Sequence, residues 1–202
     1  MGITERRERE KEEVRRKILD AARELFAREG YDHVTMRAIA DAIEYSPTTI
    51  YNHFEDKDDL VEALCHEDFA QLLAALTATE PPKDPVERIR ALGQAYAAFA
   101  RRYPNHYRFM FMTPRDEGHQ PKPEDPGSRS FELLRESVKQ AIEAGRFRNE
   151  PVDSMAQVIW ASLHGVVALL VTYRNEQFPC VPPAPDLVER TIENTLRGFR
   201  VS

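Results

Sequence analysis

The sequence predicts an all-α chain of about nine helices, and three observations predict it. Apolar residues recur at helical spacing between breaks marked by proline. No stretch shows credible strand alternation. Two short, separately capped helices stand close together near the N-terminus. The prolines cluster at 81–85, 114–126 and 179–185, with single ones at 47, 104 and 151 that suit helix starts. Two domains are predicted, a small N-terminal helical one, 1–57, that holds the pair of short helices, and a larger helical bundle, 58–202.

The first helix is predicted over about Arg9 to Arg28, with Val14, Ile18, Ala22, Leu25 and Phe26 on one face and a stop at Gly30. Met36, Ile39, Ala40 and Ile43 then form a single apolar stripe on a helix too short to stand alone. Thr35 precedes it as N-cap, its hydroxyl placed to accept an otherwise unpaired backbone N–H. A second start follows at once. Ser46 is the N-cap, and Pro47 sits at the first helical position, where a missing N–H costs nothing. Ile50 and Phe54 point inward at i, i+4, which leaves Thr48, Thr49, Tyr51, Asn52 and His53 on the outside. A short helix, a tight turn, and a second helix with hydrogen-bonding side chains outward make the layout of a DNA-reading helix-turn-helix.

Asp56 caps a long helix to about Thr79, and Asp84-Pro85 opens another that carries Val86, Ile89, Leu92, Tyr96, Phe99 and Tyr103 along one side. Gly93 within it lets another helix approach closely. Pro104 begins a short helix, and Thr113 to Ser128 reads as a polar, proline-rich loop. Three more helices are predicted at about Ser128–Ala144, ended by Gly145, at Val152–Asn175 and at Pro185–Arg200.

The segments ILDAARELFAREGYDHVTMRAIADAI, SPTTIYNHF and KDDLVEAL, spanning Ile18 to Leu64, closely resemble the N-terminal domain of the TetR family of bacterial transcriptional repressors. The resemblance implies a nine-helix, TetR-like fold in which the second helix of the pair lies in the major groove. Carried over residue by residue, it places Thr35 and Arg37 at the phosphate backbone, and Ser46, Pro47, Thr48 and Thr49 at the opening of the recognition helix. Tyr51, His53 and Lys57 match positions that touch phosphates, and Asn52 one that touches a base or a phosphate. One departure stands out. Glu44 occupies the turn position where the family usually carries glycine, and Tyr45 replaces a small aliphatic residue. A non-glycine residue at positive φ is strained, so the turn is expected to be of a slightly different kind.

Net charge of −6 is unusual for a DNA-binding chain, because non-specific affinity comes largely from Lys and Arg at phosphates. From Asp32 to Lys57 the only cations are Arg37 and Lys57. The missing charge lies upstream, where Thr4–Lys17 holds seven bases and five acids. That run fits either a solvated helix extension held by i,i+4 pairs or a flexible arm that follows DNA. The sparse cations and Glu44 leave open an alternative, a helical ligand-binding or interaction dimer that has lost specific DNA binding.

In the C-terminal half, Trp160-Ala-Ser-Leu-His164-Gly165 resembles a W-x-x-x-H-G motif of one subgroup's effector domains, and YPNHYRFMF resembles the short-helix segment before it. By the same resemblance the last two helices pair with their twins in a four-helix homodimer interface. Tyr96, Phe99, Tyr103, Tyr107, Phe111, Trp160 and His164 are candidate walls of a pocket for a hydrophobic or aromatic effector. The same side chains at helical spacing also fit plain core, and His164 beside Gly165 fits a satisfied core histidine. The apolar stretch Val158–Tyr173 reads as too short and too interrupted to span a membrane.

Other function classes find little support. There is no G-x-S-x-G, Gly-rich phosphate loop or H-E-x-x-H, so no enzyme is expected. The six histidines make no ligand spacing with Cys65 or Cys180, so neither metal nor cofactor is expected, and two distant cysteines make no disulfide framework. MGITERRERE lacks an apolar signal region, and a cytoplasmic address is expected.

Overall fold

A computed structural model describes residues 2–112, 122–173 and 184–201. Among them nine helices follow in order: α1 Ile3–Glu29, α2 Met36–Ala42, α3 Pro47–Tyr51, α4 Lys57–Leu76, α5 Pro85–Arg102, α6 Pro104–Met112, α7 Pro126–Glu143, α8 Val152–Thr172 and α9 Ala184–Phe199. The predicted end of α8 at Asn175, Cys180 in its proline-rich segment and most of the 113–128 loop lie outside the described residues.

α1 starts at Ile3 rather than near Arg9, so the charged N-terminal run is helix and not a flexible arm. The cause is local. No Gly or Pro interrupts residues 3–29, and Arg6 pairs with Glu10 at 2.7 Å across one turn.

The chain folds as two compact units, Met1–Asp68 with Asn105–Gln120, and Phe69–Pro104 with Pro121–Ser202. The expected boundary after Lys57 is not where the packing divides. Leu60 and Leu64 of α4 and Phe109 of α6 are buried in one cluster with Ile18, Ala22 and Phe26 of α1, Ile39 of α2 and Ile50 of α3. The Phe26 ring stacks on Phe109 at 5.6 Å between centroids.

Charge is also buried in this unit. The Arg23 guanidinium lies 2.8 Å from the Asp68 carboxylate and 2.7 Å from Asp20, and His106 Nδ1 approaches Asp68 to 2.9 Å. Arg23 is 4% and Asp68 0% exposed. Burial alone would depress the guanidinium, yet its hydrogen bonds and charge pairing with Asp68 and Asp20 hold it above its ordinary value.

In the second unit α5, α7, α8 and α9 pack together. A Cβ on Gly93 of α5 would stand 3.0 Å from Ile192 of α9 and 3.2 Å from Leu163 of α8, so glycine permits this three-helix approach. Arg90 of α5 reaches Glu189 and Glu193 of α9. Beyond α7, Arg148 N–H donates to the Phe199 carbonyl at 2.9 Å, next to an isolated bridge between Phe147 and Arg200.

Candidate nucleic-acid interface

Each of the two short helices begins where its cap dictates. Thr35 is extended at φ −117°, and its hydroxyl accepts the Ala38 N–H at 3.1 Å. Ser46 does the same for the Thr49 N–H at 3.3 Å, and its Oγ lies 3.0 Å from Thr49 Oγ1. Pro47 occupies the first helical position as expected. Ile50 and Phe54 are 0% and 2% exposed, so the inward face of α3 is anchored from both its body and its exit.

The turn between α2 and α3 corrects the expectation drawn from Glu44. The Glu44 N–H donates to the Asp41 carbonyl at 3.2 Å and the Tyr45 N–H to the Ala40 carbonyl at 3.0 Å. With Glu44 at φ 60°, these are the two bonds and the left-handed residue of a Schellman turn. The turn is thus of the glycine kind, with glutamate held in it.

The outward face carries the predicted residues. Thr48, Tyr51 and Asn52 are exposed, Tyr51 by 54%, while Thr49 and His53 are half-buried. Arg37 on α2 has an 83% exposed side chain, 4.0 Å from Asp41. Lys57 is held more closely than its sequence position implies. Its ammonium donates to the Tyr31 carbonyl and lies 3.8 Å from the centre of the Tyr31 ring.

Sequence reasoning missed how α1 borders this face. The Arg15 guanidinium sits 4.7 Å over the Phe54 ring, and the Lys17 ammonium 5.8 Å from the Tyr45 ring. The His53 imidazole is pushed below its usual value by burial, then by the charges of Lys11 and Arg15, against a smaller pull from Glu12. The signal was present as a four-residue spacing of bases, Arg7, Lys11 and Arg15, on the face that continues into Ile18 and Ala22.

The candidate effector residues separate into two groups. In the second unit the Tyr96 hydroxyl and His164 Nδ1 share a 3.0 Å hydrogen bond, Trp160 lies 5.2 Å from the His164 ring, and Phe131 meets Trp160 edge-on at 6.2 Å. Burial pushes the His164 imidazole below its ordinary value. Phe99 and Tyr103 form a ring pair at 5.4 Å. Tyr107 and Phe111 belong instead to the first unit, where their rings are 5.1 Å apart and Tyr107 is fully buried. A cavity of about 20 Å³, lined by Ile89, Gly93, Leu163 and Ile192 among others, has room for a water and not for an organic ligand.

α8 has 21 described residues, and an 18-residue stretch of it with mean hydropathy 1.7 is long and apolar enough to cross a membrane by length and composition. Its buried residues Met155, Ala156, Ile159, Leu163, Val167 and Val171 make it a core helix of the second unit.

The fold and the exposed second helix define a helix-turn-helix protein. Residues 18–64 match the family described as "Bacterial regulatory proteins, tetR family", and residues 89–195 that described as "Tetracyclin repressor-like, C-terminal domain". The chain belongs to the TetR family of bacterial transcriptional regulators. The HTH-type transcriptional repressor Rv1474c of Mycobacterium tuberculosis is 47% identical over 66 residues, 33% of this chain. That alignment spans only 35% of the relative's length. The HTH-type transcriptional repressor AcnR of Corynebacterium glutamicum is 26% identical over 188 residues, 88% of this chain and 92% of the relative. Among solved structures, a tetR-family regulatory protein from Rhodococcus shares the fold with a TM-score of 0.72 at 23% identity, covering 93% of this chain and 97% of that one. PfmR of Thermus thermophilus does so at 0.69 and 22%, covering 91% and 99%.

Proposed function

We propose that the chain is a ligand-responsive repressor that binds a near-palindromic operator as a homodimer and is released by a small hydrophobic or aromatic molecule. One observation carries the reading: α3 is capped by Ser46, started by Pro47 and anchored by Ile50, so that Thr48, Tyr51 and Asn52 face outward on a fixed helix. Ser46, Pro47, Thr48 and Thr49 open that helix toward the groove, and Thr35, Arg37, Tyr51, His53 and Lys57 hold it on the phosphate backbone. The protein acts in the cytoplasm and catalyses no reaction.

Dimerisation through α8 and α9 is supported by an outward apolar face on α8. Val158, Ala161, Gly165 and Leu169 follow at helical spacing and are exposed, Val158 by 48% and Leu169 by 53%. Two readers held about 34–36 Å apart by such an interface face successive major grooves. For the effector, Tyr96, His164 and Trp160, which lie together, and the Phe99–Tyr103 pair are the candidate walls in the second unit, and all but Phe99 carry a polar tip. An effector shifts the equilibrium only by its differential affinity for the DNA-competent and released states.

Selection of binding sites from a random duplex library tests the proposal. The expected result is enrichment of one palindromic site, lost with Tyr51→Ala and weakened with Thr48→Ala while both variants keep the wild-type melting midpoint. Absence of any enriched sequence at low salt would overturn it in favour of an interaction dimer without operator.

A further inference from the structure

We propose that Arg7, Lys11 and Arg15, with Lys17, form a phosphate-binding strip on α1 that flanks the recognition helix and grips the DNA backbone beside the major groove. This rests on the reading of the chain as a DNA-binding regulator and adds binding residues to it.

Three independent features support the strip. The first is the length and facing of α1. Arg7, Lys11 and Arg15 follow at i, i+4 and i+8, and the same face continues through Ile18, Ala22 and Leu25 into the core. Where there is core to meet, this face is apolar; where the helix overhangs it, the face is cationic. Glu5 falls on another face, Glu8 and Glu12 border the strip on the Arg15 side, and Glu10 and Glu13 share the face of Lys17. Arg6 is occupied by Glu10 at 2.7 Å.

The second feature is where the cations land. Lys17 stands over Tyr45, just before the Ser46 cap of α3, and Arg15 stands over Phe54, just after the α3 exit at Asn52. Lys11 and Arg15 both act on His53 through space. Positive charge therefore brackets the recognition helix at both ends. Lys11 and Lys17 are exposed and Arg15 half-buried.

The third feature is charge balance. The helix-turn-helix itself carries only Arg37 and Lys57, and Lys57 is partly committed to the Tyr31 carbonyl. Phosphates flanking a major groove present a row of negative charge that a strip of long, flexible cations fits without reading sequence.

The test is the salt dependence of binding by the full chain to its selected duplex and to a scrambled duplex. Lys11→Ala and Arg7→Ala remove exposed side chains outside the core, so both variants fold. Each lost phosphate contact lowers the log–log salt slope by about 0.9, hence by about 2 for Lys11→Ala in a dimer. Affinity then falls by a similar factor on both duplexes, and sequence preference survives. Thr48→Ala, at the opening of the recognition helix, gives the opposite pattern, with preference reduced and the slope unchanged. Unchanged slope and affinity in both Lys11→Ala and Arg7→Ala would overturn the strip and leave the regulator reading intact. Failure of the unsubstituted chain to bind any duplex would overturn both.

Discussion

The ends of α2 and α7 make the same turn from different residues. After α7, the Gly145 N–H donates to Ile142 and the Arg146 N–H to Ala141, both at 2.9 Å, with Gly145 at φ 66°. After α2 the same pair of bonds closes around Glu44 at φ 60°. Glycine takes this conformation at no steric cost, whereas an L side chain there is strained by roughly 1–2 kcal/mol. The strained copy is the one between the two helices of the reader. Its geometry is fixed by what surrounds it: Ile39 and Ala40 fully buried before the turn, and the Ser46 cap after it. The reader's turn is imposed by packing, while the α7 turn follows from its own residue.

The largest expected effect lies in the scaffold that imposes it. Asp68→Ala leaves the Arg23 guanidinium buried without its main partner, and a loss of about 3–5 kcal/mol in urea unfolding is expected. If the cohesion of the first unit holds the strained turn, amide exchange at Glu44 and Tyr45 accelerates in this variant more than at Gly145 and Arg146. Gly145→Ala comes next, with a loss of roughly 1–2 kcal/mol, because the α7 turn has no such enforcement. Glu44→Gly should stabilise the chain by about 1 kcal/mol or less, since relief of strain is partly offset by glycine's greater freedom when unfolded. Glu44→Gln keeps the strain and removes only the charge. Both Glu44 variants should bind operator more tightly, and only the glycine should raise the melting midpoint.

The smallest effect is a pH dependence at the reader's exit. In the free chain His53 is held below its ordinary value, so it is neutral near pH 7. A phosphate beside it raises that value in the complex, so binding takes up a proton. Operator affinity therefore rises as pH falls through the window between the lowered free value and the raised bound one. His53→Gln should remove this rise, which titration of binding at several pH values checks.

The reader was legible because its signals are local. Thr35, Ser46, Pro47 and Ile50 each act within one turn of chain, and the caps and inward residues stand where their side-chain chemistry put them. The Glu44 turn was misread because glutamate's own preference was weighed, and packing decided otherwise. The unit boundary was misplaced for a similar reason: Phe109 of α6 meets Phe26 of α1 across more than eighty residues of sequence, a pairing that helical spacing does not encode. The N-terminal run was readable as helix from its Arg6–Glu10 pairing, yet the cations' approach to Tyr45 and Phe54 appears only in three dimensions. The aromatic residues were least legible. Tyr96 and Tyr107 look alike in sequence; one bonds His164 in the second unit, and the other is buried in the first.

Hydroxyl-radical footprinting of the selected duplex separates operator binding from non-specific binding. Two protected stretches about one helical turn apart, both lost with Tyr51→Ala, are expected. Uniform protection along the duplex, unchanged by Tyr51→Ala, would contradict it.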